Sequence, residues 1–382
     1  MRVVVVSESF LPTVNGVTTS VRKVLDHLRR EDHDAIVIVP AAGAPSQYAG
    51  FPVHEVPAIA YRQFPVGLPN PQVQRLIEDF RPDVIHAASP FLLGAQAIAA
   101  GARLGVPSVA IFQTDVAGYA RRNRLGAATR IAWRAVRWIH ERADLTLVPS
   151  SASMHDLSQA GVQRLQRWGR GVDLATYHPR NRTSADALAL RDRLAPRGET
   201  IVGYVGRLAP EKQVERLTAL RGIDNLRLAI VGDGPSAPSI EKALRGMPVT
   251  MLGSQTGAAL AAAYASFDVF VHTGTEETFG QTIQEAHASG LPVVAPRAGG
   301  PIDLVDNGRD GLLFGPRDDA GLRSAVLTLA QDAELRSRMG EAGRRRVLSR
   351  SWESICDELL GHYESVLAAR RPERSSVLSS LS

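Results

Sequence analysis

Hydrophobic positions in this chain come in short, dense runs. Val3–Val6, Ala35–Val39, Val84–Ala87, Ser108–Phe112 and Leu145–Val148 form one set, and Thr200–Val205, Arg227–Val231, Val249–Leu252, Val269–Val271 and Pro292–Val294 form a second. Runs this short and apolar suit strands buried on both faces. The segments between them carry helical spacing, so each set predicts a parallel sheet covered by helices on both sides. The chain therefore reads as α/β, with two doubly wound, Rossmann-like domains. The first is expected over 1–175 and the second over 199–350. Between them, 176–198 holds Pro179, Asn181, Pro196 and Gly198 and reads as a linker containing a short helix. Over 351–370, Ile355, Leu359, Leu360, Tyr363 and Leu367 recur near helical spacing, which predicts a helix returning to the first domain. Residues 371–382 read as a frayed tail.

Composition changes this picture little. The 382 residues are 44% hydrophobic and 22% charged, as in ordinary globular proteins, and the length suits two domains. Cys356 is the single cysteine, so no intramolecular disulfide forms, which favours a reducing cytosol. The opening MRVVVVSESF reads as a first buried strand and not a signal peptide, and no apolar run approaches a membrane span. A net charge of +5 allows nucleotides, membrane surfaces or nucleic acid as partners without choosing among them. Lysine is scarce: only Lys23, Lys212 and Lys242 occur, which makes the position of each informative.

In parallel α/β sheets, ligands sit beyond the carboxyl ends of strands, so the residues after each run carry the candidate chemistry. Asn15-Gly16 follows the first. A glycine there lets a backbone amide approach a phosphate at a helix start, or simply makes a tight turn. GRLAPEK follows Thr200–Val205. Its Arg207 and Lys212 suit a diphosphate clamp that steadies charge on a leaving nucleotide; the plain alternative is two solvated cations, mildly unfavourable near a helix N-terminus. GDGPSAPSIEK follows Arg227–Val231. Its Gly234 belongs to half of a dinucleotide fingerprint, with Ala237 where the third glycine would stand. TEETFGQTIQEAHASGLPVVAPRAGG, 275–300, follows Val269–Val271. Glu277 before a helix and Glu285 inside it suit the hydroxyls of a sugar and a ribose, and Gly280 lets the chain pass close to a ligand. By spacing alone, two such glutamates also fit a solvated helix face.

After Ser108–Phe112 come Gln113, Thr114 and Asp115, and then a basic stretch, Tyr119–Glu141. Arg130, Arg134 and Arg137 share one helical face beside Ile131, Ala135 and Trp138. That pattern suits a helix lying on an anionic bilayer, and equally a domain-surface helix with its arginines in water.

These pieces resemble, in order and over nearly the whole chain, the retaining glycosyltransferases of the two-domain GT-B fold, family 4 type. The matching stretches are Asn15-Gly16, DVIHAASPFLLG at 83–94, RGVD at 170–173 with Tyr177 and Pro179, VGRLAPEK at 205–212, VGDGP at 231–235 and the Glu277/Glu285 segment. WGRGVD, FQTDVAGYARR and TEETFG look most like GDP-mannose-dependent α-mannosyltransferases acting on lipid-linked glycans. The resemblance implies a cleft between the domains, with Gly16, Arg207 and Lys212 on the diphosphate, Glu277, Phe279 and Gly280 on the donor sugar, and Gly234 and Glu285 on the nucleotide. It implies retention of configuration without a metal or other cofactor. The sole Asp-x-Asp, Asp32-His33-Asp34, reads as a turn. The implied acceptor is a glycolipid, such as glucuronosyl diacylglycerol or a phosphatidylinositol mannoside, at the cytoplasmic side of a membrane, and nucleic acid is not an implied partner. Many relatives carry a histidine where this chain has Gln113. Glutamine orients but cannot act as a base, so any side-chain base would fall to Asp115. A UDP-sugar donor, a soluble acceptor or an inactive nucleotide-sugar-binding relative remain alternatives. A nucleotide-sugar epimerase is weakened by Gln113, and a nicotinamide dehydrogenase by the incomplete fingerprint.

Overall fold

The structure, a computed structural model, describes residues 1–13, 15–61, 64–68, 70–113 and 126–370. The chain divides into two compact units. The first holds Met1–Pro149, Ser153–Gly169 and the chain from Ile355 onward; the second holds Ser150–Ala152 and Arg170–Ser354.

In the first unit, β1 (Arg2–Ser7), β2 (Asp34–Pro40), β3 (Gln47–Tyr48), β4 (Phe51–Val56), β7 (Val84–Ala88), β8 (Ser108–Ile111), β9 (Leu145–Val148) and β10 (Leu165–Arg167) form one sheet, and β5 (Ala58–Tyr61) pairs with β6 (Phe64–Gly67) apart from it. The sheet order is β10-β9-β8-β7-β1-β2-β4-β3. All pairs are parallel except β3 with β4. The apolar runs occupy the buried strands, and Val3, Val4 and Val5 are wholly excluded from solvent. Strands the hydrophobic pattern does not reveal lie at or next to the edges of this sheet. β4 alternates buried Phe51, Val53 and Val56 with half-buried or exposed Pro52, His54 and Glu55. From Ile355 the final helix, Trp352–Arg370, packs in this unit: the Trp168 Nε1–H donates to the Ile355 carbonyl at 2.8 Å, and buried His86 and Tyr363 share a hydrogen bond of 2.6 Å.

In the second unit, β11 (Thr200–Val205), β12 (Leu226–Val231), β13 (Val249–Gly253), β14 (Val269–Val271), β15 (Val293–Pro296) and β16 (Gly311–Phe314) form an all-parallel sheet in the order β13-β12-β11-β14-β15-β16. One face packs on Leu217, Leu322 and Val326, the other on Tyr264, Phe267 and Ile283. The whole stretch read as a linker, 176–198, lies inside this unit. Arg182 and Arg191 of that stretch clasp the buried Asp268 carboxylate at 3.1 and 2.9 Å, one on each oxygen, and Asp268 also accepts the Ile201 amide. Proline and glycine content cannot reveal such long-range ion pairs. The helix expected after Lys212 is instead 3₁₀, over Pro210–Lys212 and again over Val214–Leu220.

Candidate functional site

The second unit gathers its chemistry at the carboxyl edge of its sheet. β14 ends at Val271, and the next residues are bonded to the turn after β11. The fully buried Thr273 hydroxyl donates to the Lys212 carbonyl at 2.6 Å, and Gln213 Nε2 donates to Thr275 Oγ1 at 2.9 Å. A Cβ on Gly274 would press on the Glu211 carbonyl and the Lys212 Cα, so the two segments cross in close contact. That crossing brings Lys212 Nζ to 2.5 Å from Glu277 Oε2, between side chains only 23% and 17% exposed.

The carboxylate is held from further sides. Burial alone would raise the Glu277 pKa. The Lys212 ammonium outweighs it, aided by His272 and the Phe279 amide, and the group falls to about 2. His272, the first residue past β14, has Nε2 at 3.9 Å from the same Oε2. Burial drives its pKa to about 4, so the imidazole is neutral at pH 7. Arg170 also acts on this carboxylate: burial lowers its pKa while the Glu277 charge raises it.

The loop carrying Glu277 is shaped by glycines. Gly280 has φ +109 and opens the Gln281–Ala288 helix. Gly299 and Gly300 lie so close to the backbone of Glu277 and Phe279 that a Cβ on either would collide with a carbonyl, and the Gly300 amide donates to the Glu277 carbonyl at 2.7 Å. The Phe279 ring is core, 3% exposed, so what this residue offers the site is its backbone. Gly234 has φ +153 and a close contact with the Leu208 carbonyl; it joins the loops after β11 and β12, where the Leu208 amide donates to the Asp233 carbonyl at 2.9 Å.

Glu285 stands apart from the Lys212–Glu277 pair. Its Oε2 accepts the Tyr264 hydroxyl at 2.8 Å. Burial pushes its pKa up to about 7 against the hydrogen bonds from Tyr264 and Gln281. Arg207 is exposed and ion-paired with Glu211. Sequence reasoning did not single out His272, Thr273 or Tyr264. For the first two a signal existed, since both directly follow the end of a strand.

In the first unit, Gly16 is the exposed first residue of the Gly16–Arg30 helix. Asn15 caps it, its Oδ1 accepting the Val17 and Thr18 amides at 2.9 and 3.0 Å. Gln113 follows β8, half-buried, on the same carboxyl edge as Gly16. Asp115 lies outside the described residues. On the Gly126–His140 helix, Arg130 and Arg134 are exposed, and Arg137 is paired with Glu141 at 3.0 Å. Ile131 and Trp138 are 65% and 48% exposed, with the Arg142 guanidinium 4.0 Å from the Trp138 ring centroid. The Asp32-His33-Asp34 stretch is a turn into β2, with Asp32 at φ 56. No described helix is long and apolar enough to cross a membrane.

Two family models match in register with these units: Glycosyltransferase Family 4 over residues 14–176 and Glycosyl transferases group 1 over 188–346. The chain is 50% identical to the GDP-mannose-dependent alpha-mannosyltransferase of Mycolicibacterium smegmatis, over 97% of this chain and 99% of that protein. At 26% identity it matches the alpha-monoglucosyldiacylglycerol synthase of Acholeplasma laidlawii, over 88% of this chain and 89% of that one. Among solved structures, Anabaena HepE in complex with UDP superposes with a TM-score of 0.80 at 21% identity, covering 96% of this chain and all of that one. The chain belongs to the glycosyltransferases of the GT-B fold, family 4 type, and is an enzyme of that class.

Proposed function

We propose that the protein transfers mannose from GDP-mannose to a lipid-linked glycan acceptor, forming an α-mannosidic bond with retention and without a metal. The observation that carries this reading is the Lys212–Glu277 pair: a cation and an ionised carboxylate, both largely buried, at the carboxyl edge of the second sheet. Lys212 and Arg207 serve the diphosphate and offset the charge that builds on it as the glycosidic bond breaks. Glu277 accepts hydroxyl hydrogen bonds of the sugar, and Glu285 those of the ribose. Gly16 contributes a backbone amide to the diphosphate. Gln113 orients the reacting sugar, and the leaving phosphate oxygen takes the acceptor proton.

Identity of 50% over 97% of the chain with a GDP-mannose-dependent enzyme supports the donor. The lipid acceptor is supported by the exposed Arg130, Arg134, Ile131 and Trp138 on one helix, and by the diacylglycerol named for the Acholeplasma relative. On this reading the enzyme works at the cytoplasmic face of a membrane.

The test is turnover by purified protein with detergent-solubilised membrane glycolipids and a panel of nucleotide-sugars. Release of GDP with an α-mannosylated lipid product is expected. Turnover with a UDP-sugar alone, or with water-soluble acceptors alone, would replace the donor or acceptor respectively.

A further inference from the structure

The imidazole of His272 is a buried polar group without a well-formed hydrogen bond in the unliganded protein. Its side chain is 2% exposed, and neither ring nitrogen makes a hydrogen bond of good geometry, the Gly274 backbone being the neighbour that acts on it. A buried polar group left in this state is costly and calls for an explanation. Nε2 points at the carboxylate that Lys212 already holds: 3.9 Å from Glu277 Oε2, where Lys212 Nζ stands at 2.5 Å. A contraction of about 1 Å would make a hydrogen bond to this oxygen.

Resting on the donor-site reading above, we propose that His272 is a positioning residue. It takes over the Glu277 carboxylate when a nucleoside diphosphate draws Lys212 away. A lysine ammonium is a mobile point charge on a flexible stem. A diphosphate arriving beside it competes directly with Glu277. Without a substitute donor, Glu277 would then be a half-deserted buried anion, and its orientation toward the sugar would be lost. The neutral imidazole has one N–H to give and no charge to compete with the phosphate. The other groups facing Glu277 do not substitute for it. The Phe279 amide already bonds the carboxylate, and Arg170 acts on it through its charge. Thr273 is committed to the Lys212 carbonyl.

The experiment compares GDP with GMP, because only the diphosphate would pull on Lys212. Affinities are measured calorimetrically for wild type, His272→Phe, His272→Gln and His272→Phe combined with Glu277→Gln. His272→Phe is expected to weaken GDP about tenfold, the scale of one hydrogen bond to a charged group, and to leave GMP unchanged. His272→Gln, which keeps an N–H, should recover most of the loss. In the Glu277→Gln background, His272→Phe should cost nothing more. Equal weakening of GMP and GDP, or a loss that persists in that background, would overturn the proposal and leave a purely structural histidine. If wild type does not prefer GDP to GMP and Lys212→Ala changes neither, the donor-site reading itself fails. If Lys212→Ala removes a GDP preference that His272→Phe leaves intact, only the partner exchange fails.

Discussion

The Tyr264 hydroxyl donates to Oε2 of Glu285 at 2.8 Å, and burial holds that carboxyl near pH 7. On the ribose role proposed above for Glu285, the pair gives donor binding a titration in the physiological range. Below pH 7 Glu285 is largely protonated, which makes it a poorer acceptor for two hydroxyls. Donor affinity should therefore rise as pH increases from 6 to 8, and Glu285→Gln should flatten that rise. Stability runs the other way. The folded pKa lies above the unfolded value of about 4.3, so the contribution of this group is complete below that value and is lost as pH rises through about 7. Melting curves of wild type and Glu285→Gln from pH 5 to 8 should diverge in favour of the variant as pH increases.

Lys212→Ala and Glu277→Gln should each lower kcat/KM at least about tenfold, equivalent to roughly 1.4 kcal/mol in the barrier. Unchanged rates in both would remove these residues from the site.

The same pair has a stability signature. Lys212→Ala strands Glu277 and should destabilise the unliganded protein by about 1–3 kcal/mol, with partial recovery on adding Glu277→Gln. Because the folded Glu277 pKa is depressed to about 2, its stabilising contribution is present above about pH 4.3 and is lost as pH falls toward 2. Chemical denaturation of wild type and Lys212→Ala should therefore converge in acid.

Among the helix arginines, Arg130 and Arg134 should matter more than Arg137, which Glu141 already engages. Flotation with phosphatidylglycerol vesicles should show roughly fivefold weaker binding for each of Arg130→Gln and Arg134→Gln, and a smaller change for Arg137→Gln. Binding that survives the triple replacement would leave these arginines as an ordinary solvated face.

Chelation offers a simple check on mechanism. Turnover in excess EDTA should match turnover in added magnesium or manganese; a rate that collapses with EDTA and returns with metal would reject the metal-free reaction.

The buried strands were legible because both faces must be apolar, so Val3–Val6 or Thr200–Val205 stand out without any partner in view. β16, Gly311–Phe314, is only four residues long and lies at a sheet edge, and β4, one strand in from the edge, mixes buried with exposed positions, so neither stands out as a core run. Lys212 and Glu277 could each be picked out as candidates, because ligands gather past strand ends and lysine is rare in this chain. What no periodicity encodes is pairing at a distance. Lys212 and Glu277 are 65 residues apart, and Arg182 and Asp268 are 86 apart. The role of Gly300 is equally hidden, since the carbonyl it would strike belongs to a residue across the loop.

The final helix carries a consequence for synthesis. His86, at the centre of the first sheet, is bonded to Tyr363 across 277 residues. That contact therefore forms only after Tyr363 has left the ribosome, long after the sheet's last strand at Leu165–Arg167. The second unit, apart from Ser150–Ala152, is encoded without interruption from Arg170 to Ser354. Domains generally fold as units, so the second unit can close before the first receives its last helix.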